Sequence, residues 1–501
     1  MELRPYQSAA IDKLRHSLAR GNRRVMLYSP TGSGKTEIGM AMIRGALAKG
    51  RKVAFICNRK ELVRQASRRF GEAGIQHGII QAENTVDIGA DVLICSIDTV
   101  HVRGLPDDID LFVIDEAHGA AGSRKLRELL FKRNAVPVIG LSATPFAVGL
   151  GRHYDELGGA LFQELVEATT IRELIRLDYL VDVDVYAPST PNLTGVATRR
   201  DKDGGVDYVE TQLAEAVDKP ELVGDVIKHW FRLARDKQTV VFATSIPHSK
   251  HIVEQFQASG VSAAHLDCFS NDVQRADTLD RFKRGGIRVL SNVAILAEGW
   301  DAPATEVMIL ARPTKSLARF IQMVGRVLRK FPGKSKAMLL DHSGTTARLG
   351  FPTDDLPLAL DDGKPKTSGG GKTKERLPTA CPRCRYMKPP GVHACPACGF
   401  APERRSDVEV QDGNLVKMER GKVKASRAEK QAIYSGLLWI AAERGRKHGW
   451  VAHQYRERFG VWPSGLDDHP APPAEELSKW VRSRDIRFAK RKGVFYHASR
   501  S

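Results

Sequence analysis

A chain of 501 residues, 42% of them hydrophobic, is too long for one hydrophobic core and apolar enough to build several, so three or four units are expected. Its 77 lysines and arginines against 59 aspartates and glutamates give a formal charge of +18, an excess that points to a polyanionic partner. The charged opening "MELRPYQSAAIDKLRHSLARGNRR" argues against a signal peptide, and no run of apolar residues is long enough to suggest a membrane partner.

In chain order, "VMLYSP", "VAFICN", "VLICSI", "LFVIDEA" and "VIGLSATP" read as strands, with the helical stretches "KTEIGMAMIRGALAK" and "RKELVRQASRRF" between the first three. Strands alternating with helices predict a parallel sheet covered on both faces, which we place at residues 1–170. Residues 171–220 are polar and turn-rich over much of their length and read as a linker or hairpin insertion. The α/β pattern returns over 221–346, with "QTVVFATS", "IRVLSNV", "EVMILARP" and "KAMLLDHSG" as strands and "KSLARFIQMVGRVLRK" as one of three helices. Residues 347–378 include the Gly, Lys and Ser-rich "DDGKPKTSGGGKTKERLP" and read as a flexible linker. A cysteine-rich module at 379–402 follows, then a basic, mainly helical domain at 403–501.

"SPTGSGKT", residues 29–36, ends a strand and opens a helix, the context a phosphate-binding loop requires. Pro30, Thr31, Gly32, Ser33 and Gly34 form the turn whose amides close on phosphates, Lys35 reaches the β and γ oxygens, and Thr36 holds Mg²⁺. In "VIDEAH", at the tip of a later strand, Asp115 is a second Mg²⁺ ligand and Glu116 orients and deprotonates the attacking water.

Together these residues resemble a superfamily two helicase of the DEAD/DEAH-box type, over about residues 1–345. The resemblance implies two RecA-like domains, ATP as cofactor and a nucleic-acid track across both. "LRPYQSAAI" resembles the adenine-recognising segment and implies that role for Gln7 and Arg4. "GLSATP" resembles the third motif, which makes Ser142 and Thr144, with His118, couplers between the ATP site and the track. "AILAEGWDAP" resembles motif five and implies that Gly299 and Asp301 approach the ribose. "QMVGRVLR" resembles motif six; its Gln322, Arg326 and Arg329 fall at i, i+4 and i+7, one helix face aimed at the γ-phosphate. "CNRKELVRQ", "CSIDTV" and "FATSIPHS" resemble motifs Ia, Ib and four, and make Arg59, Gln65, Ser96, Thr99, Thr244 and Ser245 candidate contacts to a nucleic-acid backbone.

Cys381, Cys384, Cys395 and Cys398 form C-x₂-C-x₁₀-C-x₂-C with each pair in a Cys-Pro-x-Cys turn, a pattern for structural Zn²⁺. His393 is a rival ligand, and disulfides or an iron–sulfur cluster are the competing readings. Cys57, Cys95 and Cys268 show no pairing pattern and are expected to be buried thiols of a reducing, cytoplasmic chain, nucleoid-associated in a bacterium. In the tail, Leu437, Leu438, Trp439, Trp450, Tyr455, Phe459 and Trp462 read as core on two helices meeting at Gly449. The terminal "KWVRSRDIRFAKRKGVFYHASR" reads as a basic, aromatic-interleaved nucleic-acid surface.

Helicase motifs, the cysteine pairs after a linker, and "HGWVAHQYRERFGVWP" resemble the RadD-type DNA repair helicases of bacteria and phages. That resemblance implies a DNA substrate, single-stranded or branched, and cooperation with single-strand-binding or recombination proteins. An RNA helicase, a restriction-system motor subunit and a nucleic-acid-binding scaffold with a dead ATPase are the alternatives.

Overall fold

The first five expected strands are apolar throughout, which only a sheet covered on both faces accommodates. The computed structural model describes residues 2–200, 205–296, 300, 302–356, 358–364, 377–402 and 425–492, with the side chains of 486–492 excepted. Among the described residues the first sheet has seven parallel strands, in the order Gly78–Ile80, Val92–Ser96, Val53–Cys57, Leu111–Asp115, Val138–Ser142, Arg24–Tyr28 and Glu164–Glu167. Alternate residues feed two cores. Val25, Leu27 and Phe55 pack with Leu14, Ile38 and Phe70 of the helices on one face. Met26, Ile56 and Phe112 pack with Val100, Leu126 and Leu130 on the other.

A second sheet of six parallel strands runs Asp182–Tyr186, Lys336–Asp341, Val307–Leu310, Thr239–Phe242, Val289–Asn292 and Ala263–Leu266. Phe320 and Met323 cover one face of it, and Trp230, Ile252 and Phe256 the other. The chain therefore carries two RecA-like parallel-sheet domains in tandem, then the cysteine module and a helical tail.

Three expectations change. Asp182–Tyr186, within the segment read as a connector, is the edge strand of the second sheet; its alternating "DVDVY" suits an edge that is half solvated. Thr198–Arg200 and Val206–Tyr208 of that segment form an antiparallel hairpin. Parts of residues 347–356 and 358–361, read as within a flexible linker, are packed. Phe351 and Leu356 lie on the second domain's core, and Leu360 lies on the first's. Gly151 N donates to Asp361 O at 2.8 Å. Cys57 and Cys95 are buried as expected, but Cys268 is exposed.

In the C-terminal unit the helices Arg427–Glu443 and His448–Phe459 meet around residues 444–447, so Gly449 falls inside the second. Leu437, Leu438 and Tyr455 are buried, with Trp450 and Phe459 packed beside them. Trp439 and Trp462, expected in the core, are 42% and 47% exposed. Arg456 lies over the Trp462 ring at 4.5 Å, a cation–π contact that partly satisfies a half-solvated indole. The basic end of the chain lies on and beyond the helix Glu475–Lys492, and its side chains from residue 486 fall outside the described residues. No described helix is long and apolar enough to cross a membrane.

Two imidazoles lie in the second domain's interior, His248 at 2% and His342 at 6% exposure. Desolvation, against the nearby Asp218 carboxylate, pushes His248 down to about 4; desolvation and the neighbouring His229 push His342 down to about 3. Below an ordinary imidazole value of ~6.5 the unfolded chain binds protons that the fold refuses, so stability falls as pH drops. The expected loss is ~2 kcal/mol per group between pH 7.5 and pH 5. Denaturant unfolding at the two pH values reads it, and equal stabilities would contradict it.

Candidate nucleotide and nucleic-acid sites

Gly32 and Gly34 take left-handed φ values of 85° and 79°, and Gly34 then starts the helix Lys35–Leu47. The turn stays tight because Gln7 braces it. Gln7 Nε2 donates to Ser33 O at 2.9 Å, and a Cβ on Gly34 would meet that nitrogen at 2.3 Å. Gln7 Oε1 accepts from Arg4 N at 2.9 Å, so the amide is oriented from both ends. The Arg4 guanidinium lies 3.9 Å from the Tyr179 ring centroid, and Tyr6 meets the same ring edge to face. Tyr179 escaped sequence reasoning, since "RLDYLVD" carries no motif.

Lys35 Nζ lies 3.0 Å from Asp115 Oδ1 and 2.5 Å from Glu116 Oε1, each side chain about 15% exposed. Desolvation works against the charged lysine, but the two carboxylates outweigh it and push its value up. Burial likewise opposes the Glu116 charge, and Lys35 and His118 outweigh it and hold the carboxyl well below its usual range. Glu116 itself sits at φ 48°, left-handed backbone that costs a β-carbon residue ~1–3 kcal/mol and recurs at functional sites.

From Glu116 the contacts run on. His118 Nδ1 lies 3.3 Å from Glu116 Oε2 and 3.2 Å from Ser142 Oγ. Ser142 Oγ accepts from Thr144 N at 3.0 Å, and Gln322 Nε2 of the second domain donates to Thr144 Oγ1 at 3.2 Å.

The expected single helix face of Gln322, Arg326 and Arg329 does not form. The helix is Leu317–Val324, and beyond it Arg326 N and Val327 N bond three residues back, to Met323 O and Val324 O. Gly325 is pressed against the phosphate loop, where a Cβ would meet Thr31 Cβ at 2.8 Å, so the helix turns away there. Arg326 then donates to Trp300 O at 3.0 Å, and Arg329 bridges to Leu180. The turn divides the three residues between two sites. Arg326 and Arg329 line a cleft of about 620 Å³ with Lys35, Thr36, Asp115 and Glu116. Gln322 lines a second one of about 850 Å³ with His118 and Thr144. Gly299 and Asp301 lie outside the described residues.

Of the expected nucleic-acid contacts, Arg59 lines the second cleft. Gln65 lines the first, beside the phosphate loop. Ser96, Thr99 and Thr244 are buried, Thr99 Oγ1 accepting from Ala82 N at 2.8 Å and Thr244 Oγ1 donating to Ala311 O at 3.3 Å. Ser245 caps the helix Ile246–Ala258 by accepting from His248 N. The hairpin residues Arg199 and Arg200 line the second cleft and were missed, because an arginine on a short hairpin strand has no sequence signature.

The sulfurs of Cys381, Cys384, Cys395 and Cys398 all lie within 4.8 Å of one another, with Cys381 to Cys398 at 3.8 Å and Cys384 to Cys395 at 3.6 Å. Thiolates ~2.3 Å from one tetrahedral Zn²⁺ stand ~3.8 Å apart, so this donor set fits a single closed ion; no pair is at disulfide distance. His393 is not in the cluster; its carbonyl accepts from Lys388. The module packs on the second domain. Met387 is buried in the second domain's core, the Tyr386 ring meets Tyr186 at 5.4 Å, and Ala187 N donates to Arg385 O at 2.9 Å.

A phosphate loop facing an Asp-Glu strand tip, with a second parallel-sheet domain supplying arginines to the same cleft, defines a two-domain P-loop ATPase. Residues 1–147 match the family model of the type III restriction enzyme res subunit, and residues 218–331 match that of the helicase conserved C-terminal domain. These tandem helicase domains make the chain an ATP-hydrolysing superfamily two helicase. It is 28% identical over 432 residues to a 51.5 kDa protein of a Lactococcus phage, covering 84% of this chain and 89% of that one. It is also 27% identical over 386 residues to a Saccharomyces cerevisiae protein described as an ATP-dependent helicase, IRC3; the match covers 71% of this chain and 54% of the yeast protein. A fragment of a type I restriction enzyme HsdR subunit from Vibrio vulnificus shares the fold, with a TM-score of 0.54 at 20% identity, over 73% of this chain and 67% of that one.

Proposed function

We propose that the chain is a nucleic-acid-stimulated motor on single-stranded or branched DNA, of the RadD type, working in repair or recombination beside single-strand-binding or recombination proteins. The observation that carries the motor reading is the unbroken series Lys35, Glu116, His118, Ser142, Thr144 and Gln322, which joins the nucleotide cleft to the basic cleft between the domains. In this reading the residues at the second cleft report on a bound strand, and Glu116 receives the report.

Thr36 and Asp115 would hold Mg²⁺, which would supply charge neutralisation at the phosphates, and Gln7 with Arg4 faces the adenine. Lys35 exchanges its two carboxylates for β and γ oxygens, which frees Glu116 to take a proton from water. Arg326 and Arg329 stabilise charge on the transferred phosphoryl, a contribution of ~10³–10⁵ in rate where arginines play that part. The cysteine module holds Zn²⁺ and extends the second domain.

ATPase rates with single-stranded DNA, branched DNA and RNA of matched sequence test this reading. DNA is expected to stimulate most, and Gln322→Ala to keep the unstimulated rate while losing most of the stimulation. A response to RNA alone would overturn the DNA assignment, and full stimulation of the Gln322 variant would overturn the coupling path.

A further inference from the structure

The hairpin formed by Thr198–Arg200 and Val206–Tyr208 lies in none of the helicase motifs, yet it is built into the second domain with unusual firmness. Asp207, 4% exposed, accepts from Thr314 Oγ1 at 2.9 Å and from Lys315 N at 2.8 Å, and it pairs with the Arg319 guanidinium. A buried carboxylate is costly unless its lone pairs are satisfied, and here four donors satisfy it, the fourth being Tyr208 N at 3.0 Å. Arg319 stands on the helix Leu317–Val324, three residues before Gln322, the residue that touches Thr144. The hairpin is therefore fixed to the element that senses the first domain.

What the hairpin presents is positive charge. Arg199 and Arg200 are exposed and line the 850 Å³ cleft with Arg59 and Lys315, and Glu210 is the one acid among its described lining residues. Glu210 already accepts from Arg312 at 2.9 Å, so it only loosely balances Arg199, 3.9 Å away. Two exposed arginines on a rigid support, at the wall of an interdomain groove, suit the charge of a phosphodiester backbone. Such a backbone needs no base-specific pocket.

Resting on the reading of the groove as a nucleic-acid track, we propose that Arg199 and Arg200 bind backbone phosphates and that Asp207 ties this grip to the helix carrying Gln322. The arginines are contact residues, and Asp207 is a positioning residue. Because the hairpin travels with the second domain, its grip moves along the strand as the cleft opens and closes, while Arg59 holds from the first domain.

The test is the salt dependence of binding to a fluorescent oligodeoxynucleotide and to an oligoribonucleotide of the same sequence. Each lost phosphate contact lowers the slope of log K against log salt by ~0.7 for a single strand, so R199A/R200A should lose ~1.4 and bind ~10-fold or more weakly. R199K/R200K should keep most of the slope. Asp207→Asn keeps the arginines and should keep the slope, but should lower the maximal stimulation of hydrolysis. A wild-type chain that binds neither oligonucleotide overturns the motor reading and this one together. If the wild type binds and is stimulated while R199A/R200A matches it in affinity and slope, the hairpin contact alone is overturned. Full stimulation in Asp207→Asn overturns the tie.

Discussion

Lys35→Ala is expected to bring ATP hydrolysis to background, a fall of at least ~10²–10³ if the lysine is worth what one preorganised charge at a reacting centre usually is. The same change should also destabilise the first domain. Lys35 is the cation between Asp115 and Glu116 at 3.0 and 2.5 Å, and without it two carboxylates face each other at about 15% exposure. Removing one partner of a fully buried pair costs ~3–5 kcal/mol, and partial exposure reduces that here. The double variant Lys35→Ala, Glu116→Gln separates the two effects. It should regain much of the lost melting temperature and none of the activity. Hydrolysis surviving in a pure Lys35→Ala preparation would remove the nucleotide site from this cleft.

Cys395→Ser is expected to release the metal and to loosen the second domain with it. Structural Zn²⁺ sites contribute apparent binding free energies of ~10–16 kcal/mol, and a stretch of this size has too little core to fold without one. Residue 395 is buried, and the module it closes delivers Met387 to the second domain's core and Tyr386 to Tyr186. Losing the buried methionine contact alone is worth ~2–5 kcal/mol. Metal analysis should read about one Zn per wild-type chain and none in the variant, with a lowered melting temperature for the second domain. A metal-free wild-type chain that keeps the module folded would contradict the zinc assignment.

The nucleotide site was legible in sequence because its chemistry is local. "SPTGSGKT" makes its own turn, and "VIDEAH" ends its own strand, so Lys35, Asp115 and Glu116 were named from residue type and spacing and then found within ion-pair distance. The cysteine cluster was legible for the same reason, since two Cys-Pro-x-Cys turns each aim a pair of thiols. The candidate contacts to a nucleic-acid backbone were less so. Ser and Thr at strand ends serve helix caps and interior bonds as readily as phosphates, and Thr99, Thr244 and Ser245 make such internal bonds.

Sequence alone determined the two α/β domains, because uninterrupted apolar strands admit only a sheet covered on both sides, and it named the residues that meet in the first cleft and in the cysteine cluster. Tertiary structure alone decided how they are joined. The contact of Gly325 with Thr31 ends a helix that periodicity would have continued, and it sends Arg326 and Arg329 to one cleft and Gln322 to the other. Tyr186 and Met387 draw the cysteine module onto the second domain, and Asp207 ties an unmarked hairpin to the helix beside it. Each of these depends on groups far apart in the chain meeting in a dry interface, where one close contact or one buried carboxylate outweighs local preference.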